Sequence, residues 1–187
     1  MGRVHADGGK STRDLIDARK LIELLPLKPG DTFLDAGCGD GFISLEAVKA
    51  VGDEGMVIAV DIYPPSVEAL RSAAAGTKNI VTILDDITRR LPVPDGTVDI
   101  YFMANVFHGI VTNGEVDSLL AEVRRLLKEG GKVAIVDFKK IPGTPGPHPD
   151  LRLSEDEVIG ILREKGFEVE DVMDVGSFHY LVLGSMI

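Results

Sequence analysis

The sequence predicts an α/β fold in which helices cover both faces of a mostly parallel, doubly wound sheet. Short apolar runs of strand length alternate with segments of helical periodicity along the 187 residues. A glycine-rich turn, "GCGDG", follows the first apolar run and precedes a helical pattern. The last two apolar runs, around 169–172 and 179–183, lie too close together for a parallel crossover, so they must form an antiparallel hairpin. The predicted sheet therefore has five or six parallel strands and one reversed strand at or near its end.

Each element of this fold has a local signal in the sequence. In the first half, the patterns predict a helix over 12–25, a strand over 32–35, a helix over 42–51, a strand over 56–60 and a helix from Pro64 to about Ala75. In the second half, they predict strands over 80–84, 98–103 and 132–138, a helix with Asn113 as its N-cap and Gly130 or Gly131 at its end, and a helix from the capping box of Ser154 and Glu157 to about Lys165. Residues 85–97 are predicted as a loop with one helical turn.

Length and composition limit the domain organisation and the kind of partner. The length suits one domain spanning 1–187, in which a helical N-terminal segment (1–25) and a proline- and glycine-rich loop (139–153) are free to form a lid. A net charge of −10 has the wrong sign for gripping a nucleic-acid backbone. No apolar run is long enough to span a membrane, and the single cysteine excludes an intramolecular disulfide framework, so the expected compartment is the cytoplasm. The oligomeric state stays open.

The glycine-rich turn predicts the cofactor. Its glycines at 37, 39 and 41 do not match the dinucleotide pattern, which requires a glycine where Phe42 stands. Asp35 places an anion where a pyrophosphate would lie, so NAD is disfavoured, whereas a cofactor with a cationic end and no phosphate is favoured. S-adenosylmethionine has those properties, and Gly37 and Gly39 would allow its close approach to the backbone. Another nucleotide and a purely structural turn are the alternatives.

Two further strand ends carry carboxylates suited to an adenosine. Asp61 ends the second strand and can accept hydrogen bonds from both ribose hydroxyls; its alternative role is to cap the helix that begins near Pro64. Asp85 or Asp86, at the end of the third strand, can accept from the adenine amino group, with Ile87 beside the ring; capping of the next turn is the alternative for one of them. Three carboxylates at the ends of three successive strands therefore predict an adenosine site.

These motifs resemble those of the class I S-adenosylmethionine-dependent methyltransferases, close to the small stand-alone type related to the quinone-biosynthesis enzymes. The segments "FLDAGCGDG", "VIAVDIY", "DDITRRLPVPDGTVDIYFMANVFHGI" and "EVRRLLKEGGKVAIVDF" carry the resemblance, with Glu129 where proline is usual. It implies a Rossmann-like seven-stranded sheet of order 3-2-1-4-5-7-6 with strand 7 antiparallel. It also implies a cofactor site formed by Asp35, Gly37, Cys38, Gly39, Asp61, Ile62, Asp85, Asp86, Ile87 and Asn105, in which Cys38 fills a small apolar slot rather than acting as a nucleophile.

The implied reaction is an in-line methyl transfer, for which the enzyme mainly aligns the reactants and excludes water. His108 is the favoured base or acceptor-binding residue and Asn105 lies nearby; a histidine that bonds only to backbone is the alternative for His108. Lys139, Lys140 and His148 are expected on the substrate side, and no cluster of residues has the spacing of a metal site. We expect a small or medium-sized acceptor. A protein or RNA methyltransferase that docks through a partner and a non-catalytic cofactor-binding module are the other hypotheses.

Overall fold

The computed structural model describes residues 11–187. Its helices are α1 (Ala18–Leu24), α2 (Phe42–Val51), α3 (Pro64–Ala73), α4 (Phe107–Thr112), α5 (Val116–Leu126) and α6 (Glu155–Glu164), and a 3-10 helix spans Pro149–Leu151. Its strands are β1 (Thr32–Ala36), β2 (Met56–Asp61), β3 (Ile80–Leu84), β4 (Val98–Ala104), β5 (Leu127–Phe138), β6 (Phe167–Val175) and β7 (His179–Met186). None of the helices in this part of the chain is both long enough and apolar enough to cross a membrane.

The seven strands form one sheet of order β3-β2-β1-β4-β5-β7-β6, which confirms the predicted fold class and strand order. The pairs among β1 to β5 are parallel, and β7 runs antiparallel to both β5 and β6. The carboxyl ends of the five parallel strands therefore lie along the same edge of the sheet. This edge, where the strand order reverses beside β1, is the place where such folds bind ligands.

Alternation along the strands separates the core into layers on the two faces of the sheet. On one face, Leu34 of β1 and Tyr101 of β4 pack against apolar residues of α5 and α6. On the other face, Phe33 and Phe102 stack with ring centroids 5.3 Å apart and pack against residues of α1 and α2. Because successive side chains on a strand point to opposite faces, Asp35 lies on the α2 side, whereas Asp137 of β5 lies on the α5 side.

The prediction of a helix over 12–25 is wrong at its beginning. Helix α1 begins at Ala18, after the N-cap Asp17, whose carboxylate accepts a hydrogen bond from the backbone N–H of Lys20. Residues 12–16 form a turn instead, in which the backbone N–H groups of Leu15 and Ile16 donate to the carbonyl of Thr12. Residues 1–10, part of the expected lid, lie outside the described residues.

The region after β4 also differs from the prediction. Asn113 is not an N-cap but the C-cap of α4, a six-residue helix that the sequence pattern did not indicate, and α5 begins three residues later at Val116. Helix α5 ends at Leu126 rather than at the glycines, because the chain enters β5 directly at Leu127. Gly130, with a φ of 76°, therefore lies within the long strand β5 and not at a helix end. Strands β6 and β7 extend beyond the predicted 169–172 and 179–183 because they pair along their whole length.

Residues 85–97 form a loop that packs on the sheet through Ile87, Leu91 and Val93. Two residues of α5 hold this loop. Glu122 accepts a hydrogen bond from the backbone N–H of Leu91, and Arg125 donates to the carbonyls of Leu91 and Val93. These bonds hold the loop against α5, and its first residues, Asp85, Asp86 and Ile87, lie at the carboxyl-end edge of the sheet.

Candidate active site

A cavity of about 540 Å³ opens at the carboxyl ends of β1 to β5. Its size lies within the range of about 300–1,000 Å³ that small-molecule and cofactor sites occupy. One end is formed by the loops after β1, β2 and β3, and we call it the cofactor end. The other end is formed by α4, the start of α5 and the segment after β5, and we call it the acceptor end. Ser11, Thr12 and Leu15 of the N-terminal segment also line the cavity.

The three positions of the loop after β1 require glycine for different structural reasons. All have positive φ, at 81° for Gly37, 53° for Gly39 and 78° for Gly41. A Cβ at Gly37 would lie 2.5 Å from Val106, and one at Gly41 would lie 2.2 Å from Leu70 of α3, so these two glycines serve packing. A Cβ at Gly39 would meet no atom within 4 Å, and this residue lines the cavity. Gly37 also lines the cavity, and Gly39 is the position with the most open space for a ligand to approach the backbone.

Asp35 lies at the base of the cofactor end and is only 2% exposed. Its Oδ2 accepts a hydrogen bond of 2.5 Å from the hydroxyl of Ser44 in α2. Burial raises the pKa of this carboxyl to about 7, although the bond from Ser44 opposes the shift; the charge of Asp61 adds to it. A cationic group bound beside Asp35 would stabilise its ionised form.

Asp61 holds the cofactor end together through both carboxylate oxygens. Oδ2 accepts from the backbone N–H of Gly39, and Oδ1 accepts from that of Tyr63, the N-cap residue of α3, with both distances at 2.8 Å. Asp61 thus closes a turn just before α3, but Tyr63 is the N-cap and the helix has no side-chain cap hydrogen bond, so the capping role considered for Asp61 is absent. Each carboxylate oxygen keeps a further acceptor site, and Asp61 lines the cavity, so a second role toward a ligand hydroxyl is compatible with these bonds.

The loop after β3 places two carboxylates with different surroundings. Asp86 is buried, and its Oδ1 accepts from the backbone N–H and the hydroxyl of Thr88. The Asp86 carboxylate therefore caps the turn that follows it. Asp85 is half-buried, and its Oδ1 accepts from the backbone N–H of Asp86. Both line the cavity together with the apolar side chains of Ile87 and Ile62.

Cys38 is buried in a small apolar cluster with Ala59, Leu70 and Ala74, although it also reaches the cavity wall. Burial, with the nearby charges of Asp35 and Asp61, raises the pKa of its thiol, so the sulfur stays protonated. This environment matches the expected packing role.

Asn105 connects β4 to α4 in an unusual conformation. Its φ of 59° is the only positive value for a residue other than glycine in the described chain. Both polar atoms of its side chain are buried without a hydrogen-bond partner, and the residue lines the cavity. Left-handed backbone and orphaned amide atoms are both unfavourable, and such features concentrate at functional sites.

His108 lies in α4 and forms a buried pair with Asp137, the penultimate residue of β5. Its Nδ1 is 2.8 Å from Asp137 Oδ1, and its backbone N–H donates to Asp137 Oδ2 at 3.0 Å. The carboxylate is completely inaccessible and also accepts from the backbone N–H of Phe138. His108, itself 9% exposed, lines the cavity. The bond to the Asp137 carboxylate fixes the orientation of the imidazole. His108 is therefore not a histidine that bonds only to backbone, which was the alternative.

The other three substrate-side residues do not line this cavity. The ammonium of Lys139 lies 2.6 Å from Asp174, and that of Lys140 lies 3.1 Å from Glu157. The exposed side chain of His148 lies 3.5 Å from Asp150 and accepts from its backbone N–H at the start of the 3-10 helix. Residues 11–187 contain no group of three or more His, Cys, Asp or Glu side chains that could hold a metal ion.

Asp137 is the main site residue that sequence reasoning missed. It lies near the end of the apolar run "VAIVDF", just as Asp35 and Asp61 lie at or near the ends of their strands. The rule that selected those two carboxylates would have selected Asp137 as well. What the sequence does not indicate is its pairing with His108, because α4 has no side-chain cap that would place it.

Comparisons with known proteins identify the family of this chain. A family model described as a methyltransferase domain matches residues 33–131, more than half of the chain. A solved S-adenosylmethionine-dependent methyltransferase from Aquifex aeolicus superimposes with a TM-score of 0.85 and 33% identity, covering 96% of this chain and 95% of that one.

Two curated relatives are similar over much of the chain. The 27-O-demethylrifamycin SV methyltransferase of Amycolatopsis mediterranei is 28% identical over 85% of this chain and 62% of its own length. A ubiquinone/menaquinone biosynthesis C-methyltransferase of Teredinibacter turnerae is 32% identical over 64% of this chain and 47% of its own length. The chain thus spans roughly half to two thirds of these two proteins. With the seven-stranded order, the glycine loop and these matches together, the chain belongs to the class I S-adenosylmethionine-dependent methyltransferases.

Proposed function

We propose that the chain transfers a methyl group from S-adenosylmethionine to a small-molecule acceptor that must lose a proton during the reaction. The observation that carries this proposal is that one cavity is lined both by the strand-end carboxylates and by His108, whose ring is paired with the buried Asp137 behind it. The cofactor residues lie at one end of the cavity and the oriented imidazole at the other. Such an arrangement suits a transfer between two bound molecules.

The residues at the cofactor end fit this cofactor. Gly39 has open space on its cavity side, Asp61 can accept from the ribose hydroxyls, and Ile62 and Ile87 offer apolar surface to the adenine. Asp85 is favoured over Asp86 for the adenine amino group, because Asp86 already caps the turn at Thr88. Asp35 and Asn105 would face the amino-acid end. When bound, the cofactor supplies an electrophilic methyl group on a sulfonium.

At the acceptor end, His108 would act as the general base. Because Asp137 accepts from Nδ1, the neutral imidazole carries its lone pair on Nε2, which is the atom that can take a proton. Asp137 would hold this tautomer and stabilise the imidazolium that forms. A hydroxyl or an amine is the kind of acceptor that gives up such a proton, and general-base assistance of this kind contributes about 10²–10⁴-fold.

The size and charge of the molecule support a small acceptor over a macromolecule. The names of the relatives refer to small molecules, a rifamycin and quinones, and the net charge of −10 disfavours a nucleic-acid substrate. Lys139, Lys140 and His148 would contact an acceptor only if part of it extended out of the cavity, since these residues are not among those that line it.

Two measurements test the proposal. In the first, calorimetric titration compares S-adenosylmethionine, S-adenosylhomocysteine and NAD. We expect both adenosyl ligands to bind and NAD to give no heat of binding. In the second, methyl-labelled cofactor is incubated with a cell extract separated into small-molecule, protein and RNA fractions, with Asp61→Ala as the matched control. Label that enters only RNA or protein would contradict the small-molecule proposal, and binding without any transfer would favour a non-catalytic module.

A further inference from the structure

The segment between β5 and α6 has few backbone hydrogen-bond donors. It contains prolines at 142, 145, 147 and 149. Proline has no backbone N–H, so this stretch has fewer donors than carbonyl acceptors. Within the segment, few backbone hydrogen bonds form, such as those from Ile141 to the carbonyl of Lys139 and from Leu151 to that of His148, so most of its carbonyls need other donors.

Arg152 supplies the missing donors. Arg152 is only 2% exposed, and an arginine is rarely buried to this degree unless its charge and donors are satisfied. The guanidinium donates to five backbone carbonyls and to one hydroxyl, those of Pro147 (2.8 Å), Lys139 (3.0 Å), Ile141 (3.1 Å), Thr144 (3.1 Å), Pro145 (3.1 Å) and Thr144 Oγ1 (2.6 Å). All of the donor groups of the guanidinium are thus directed at one loop.

The same loop forms part of the acceptor end. Phe138, Gly146 and Leu151 line the cavity. Gly146 packs against the ring of Phe138 so closely that a Cβ there would lie 2.6 Å from it, and the guanidinium of Arg152 lies 5.3 Å from the centre of the same ring. Arg152 is therefore in contact with the back of the cavity wall without lining the cavity itself.

We propose that Arg152 is a positioning residue that determines acceptor selectivity, because it holds residues 139–151 as a preformed wall of the acceptor end. The inference rests on the proposed function, since it takes this end of the cavity as the place where the acceptor binds. It replaces the expectation of a lid over 139–153 with a fixed surface, and it assigns the selectivity of that surface to a residue that the acceptor does not touch.

The test compares Arg152→Lys and Arg152→Met with Arg163→Met, a control at an exposed residue of α6 that does not line the cavity. Lysine keeps the charge but cannot donate in five fixed directions, and methionine keeps only an unbranched apolar stem with no charge and no donors. Amide hydrogen exchange is measured on S-adenosylhomocysteine-bound protein. Exchange of the amides in 139–151 should rise by about tenfold or more in both Arg152 variants, the effect of losing a single hydrogen bond or more, and stay unchanged in the control.

A second readout separates selectivity from simple loss of structure. With methyl-labelled cofactor and a small-molecule extract, the ratio of labelled products should change in the Arg152 variants, and the KM for the acceptor should rise by about tenfold. The KM for the cofactor should stay within about twofold, because the cofactor end does not contact Arg152. If the Arg152 variants do not fold, Thr144→Val removes only the hydroxyl partner and should produce smaller changes in the same direction.

The outcomes distinguish this inference from the proposed function. Unchanged exchange in 139–151, or unchanged product ratios and acceptor KM, would overturn the role of Arg152. A wild-type protein that binds S-adenosylhomocysteine and methylates no small molecule would instead overturn the proposed function, and the selectivity role would fall with it.

Discussion

A deeply buried carboxylate near the end of a central strand lies at each end of the cavity, Asp35 in the cavity wall and Asp137 behind it, and their hydrogen-bond partners differ. Asp35, at the cofactor end, accepts a hydrogen bond from the single hydroxyl of Ser44, and burial raises its pKa to about 7. Asp137, at the acceptor end, accepts from the backbone N–H groups of His108 and Phe138 and from the His108 ring. The first carboxylate lacks partners for its charge, whereas the second is surrounded by donors.

This difference indicates how the two ends operate. A buried carboxylate with one donor can be neutralised by a proton or by a cationic ligand, so its charge state follows what is bound beside it. A carboxylate held by several donors stays in one position and can orient another group. The cofactor end is thus prepared to receive a cation, and the acceptor end is prepared to hold an imidazole.

The largest effect is expected from breaking the acceptor-end pair. His108→Ala should lower kcat by about 10²–10⁴-fold, because it removes the proposed base, while the affinity for S-adenosylhomocysteine stays the same. Asp137→Asn should give a smaller loss and shift the pH dependence of kcat, since the amide does not select the same tautomer. Labelled methyl transfer measures both rates, with Asp53→Asn as an exposed control. Full turnover in His108→Ala would remove His108 from the mechanism.

The next effect concerns the cofactor end. Asp61→Ala should weaken S-adenosylhomocysteine binding by about 1.5–3 kcal/mol, the scale of losing hydrogen bonds to a charged group. Asp61→Asn keeps one carbonyl oxygen and should lose less, and Asp53→Ala should lose nothing. Calorimetric titration gives the three affinities. Equal affinity for wild type and Asp61→Ala would rule out a ligand-binding role and leave only the backbone bonds to Gly39 and Tyr63.

The third prediction examines another buried titratable group at the acceptor end. His179 packs against the ring of Phe138 with centroids 4.2 Å apart, is inaccessible, and has a pKa lowered to about 4 chiefly by burial. Because the unfolded chain takes up the proton near pH 6.5 and the folded protein only near pH 4, stability should fall as pH decreases through this interval.

His179→Phe should therefore reduce the stability lost between pH 6.5 and pH 5 by about 1–2 kcal/mol. Denaturant unfolding at both pH values measures it, and the comparison within each protein cancels the difference in packing. Parallel losses in the variant and the wild type would show that His179 is not the group responsible.

The smallest predicted effect is the release of a fraction of a proton when the ligand binds. At pH 7 about half of the Asp35 carboxyls carry one, and a cationic ligand beside them favours ionisation, so binding should release up to about 0.5 proton. Affinity should accordingly decrease as pH falls below 7. Titrations with S-adenosylhomocysteine in two buffers of different ionisation enthalpy measure the release, and Asp35→Asn should abolish it. Release that persists in this variant would assign the proton to another group.

The sequence predicted the sheet and the cofactor end because their signals are local. Asp35, Asp61 and Asp85 end apolar runs, and the glycines stand beside the first of them. The acceptor end depends on contacts between distant residues. His108 and Asp137 are separated by 29 positions, and Arg152 reaches back as far as Lys139. Helix α4 has six residues and no side-chain cap, so nothing in its own pattern separates it from a loop.

The lone cysteine has a practical consequence for spectroscopy. Cys38 is the only cysteine in the sequence, and its buried, protonated thiol is a poor target for alkylating probes. A cysteine introduced at an exposed position of the loop after β5, such as Pro145→Cys, would then carry a fluorophore alone. The fluorescence of that single label would report the local motion of this loop in wild-type and Arg152-substituted backgrounds, without removal of the native thiol.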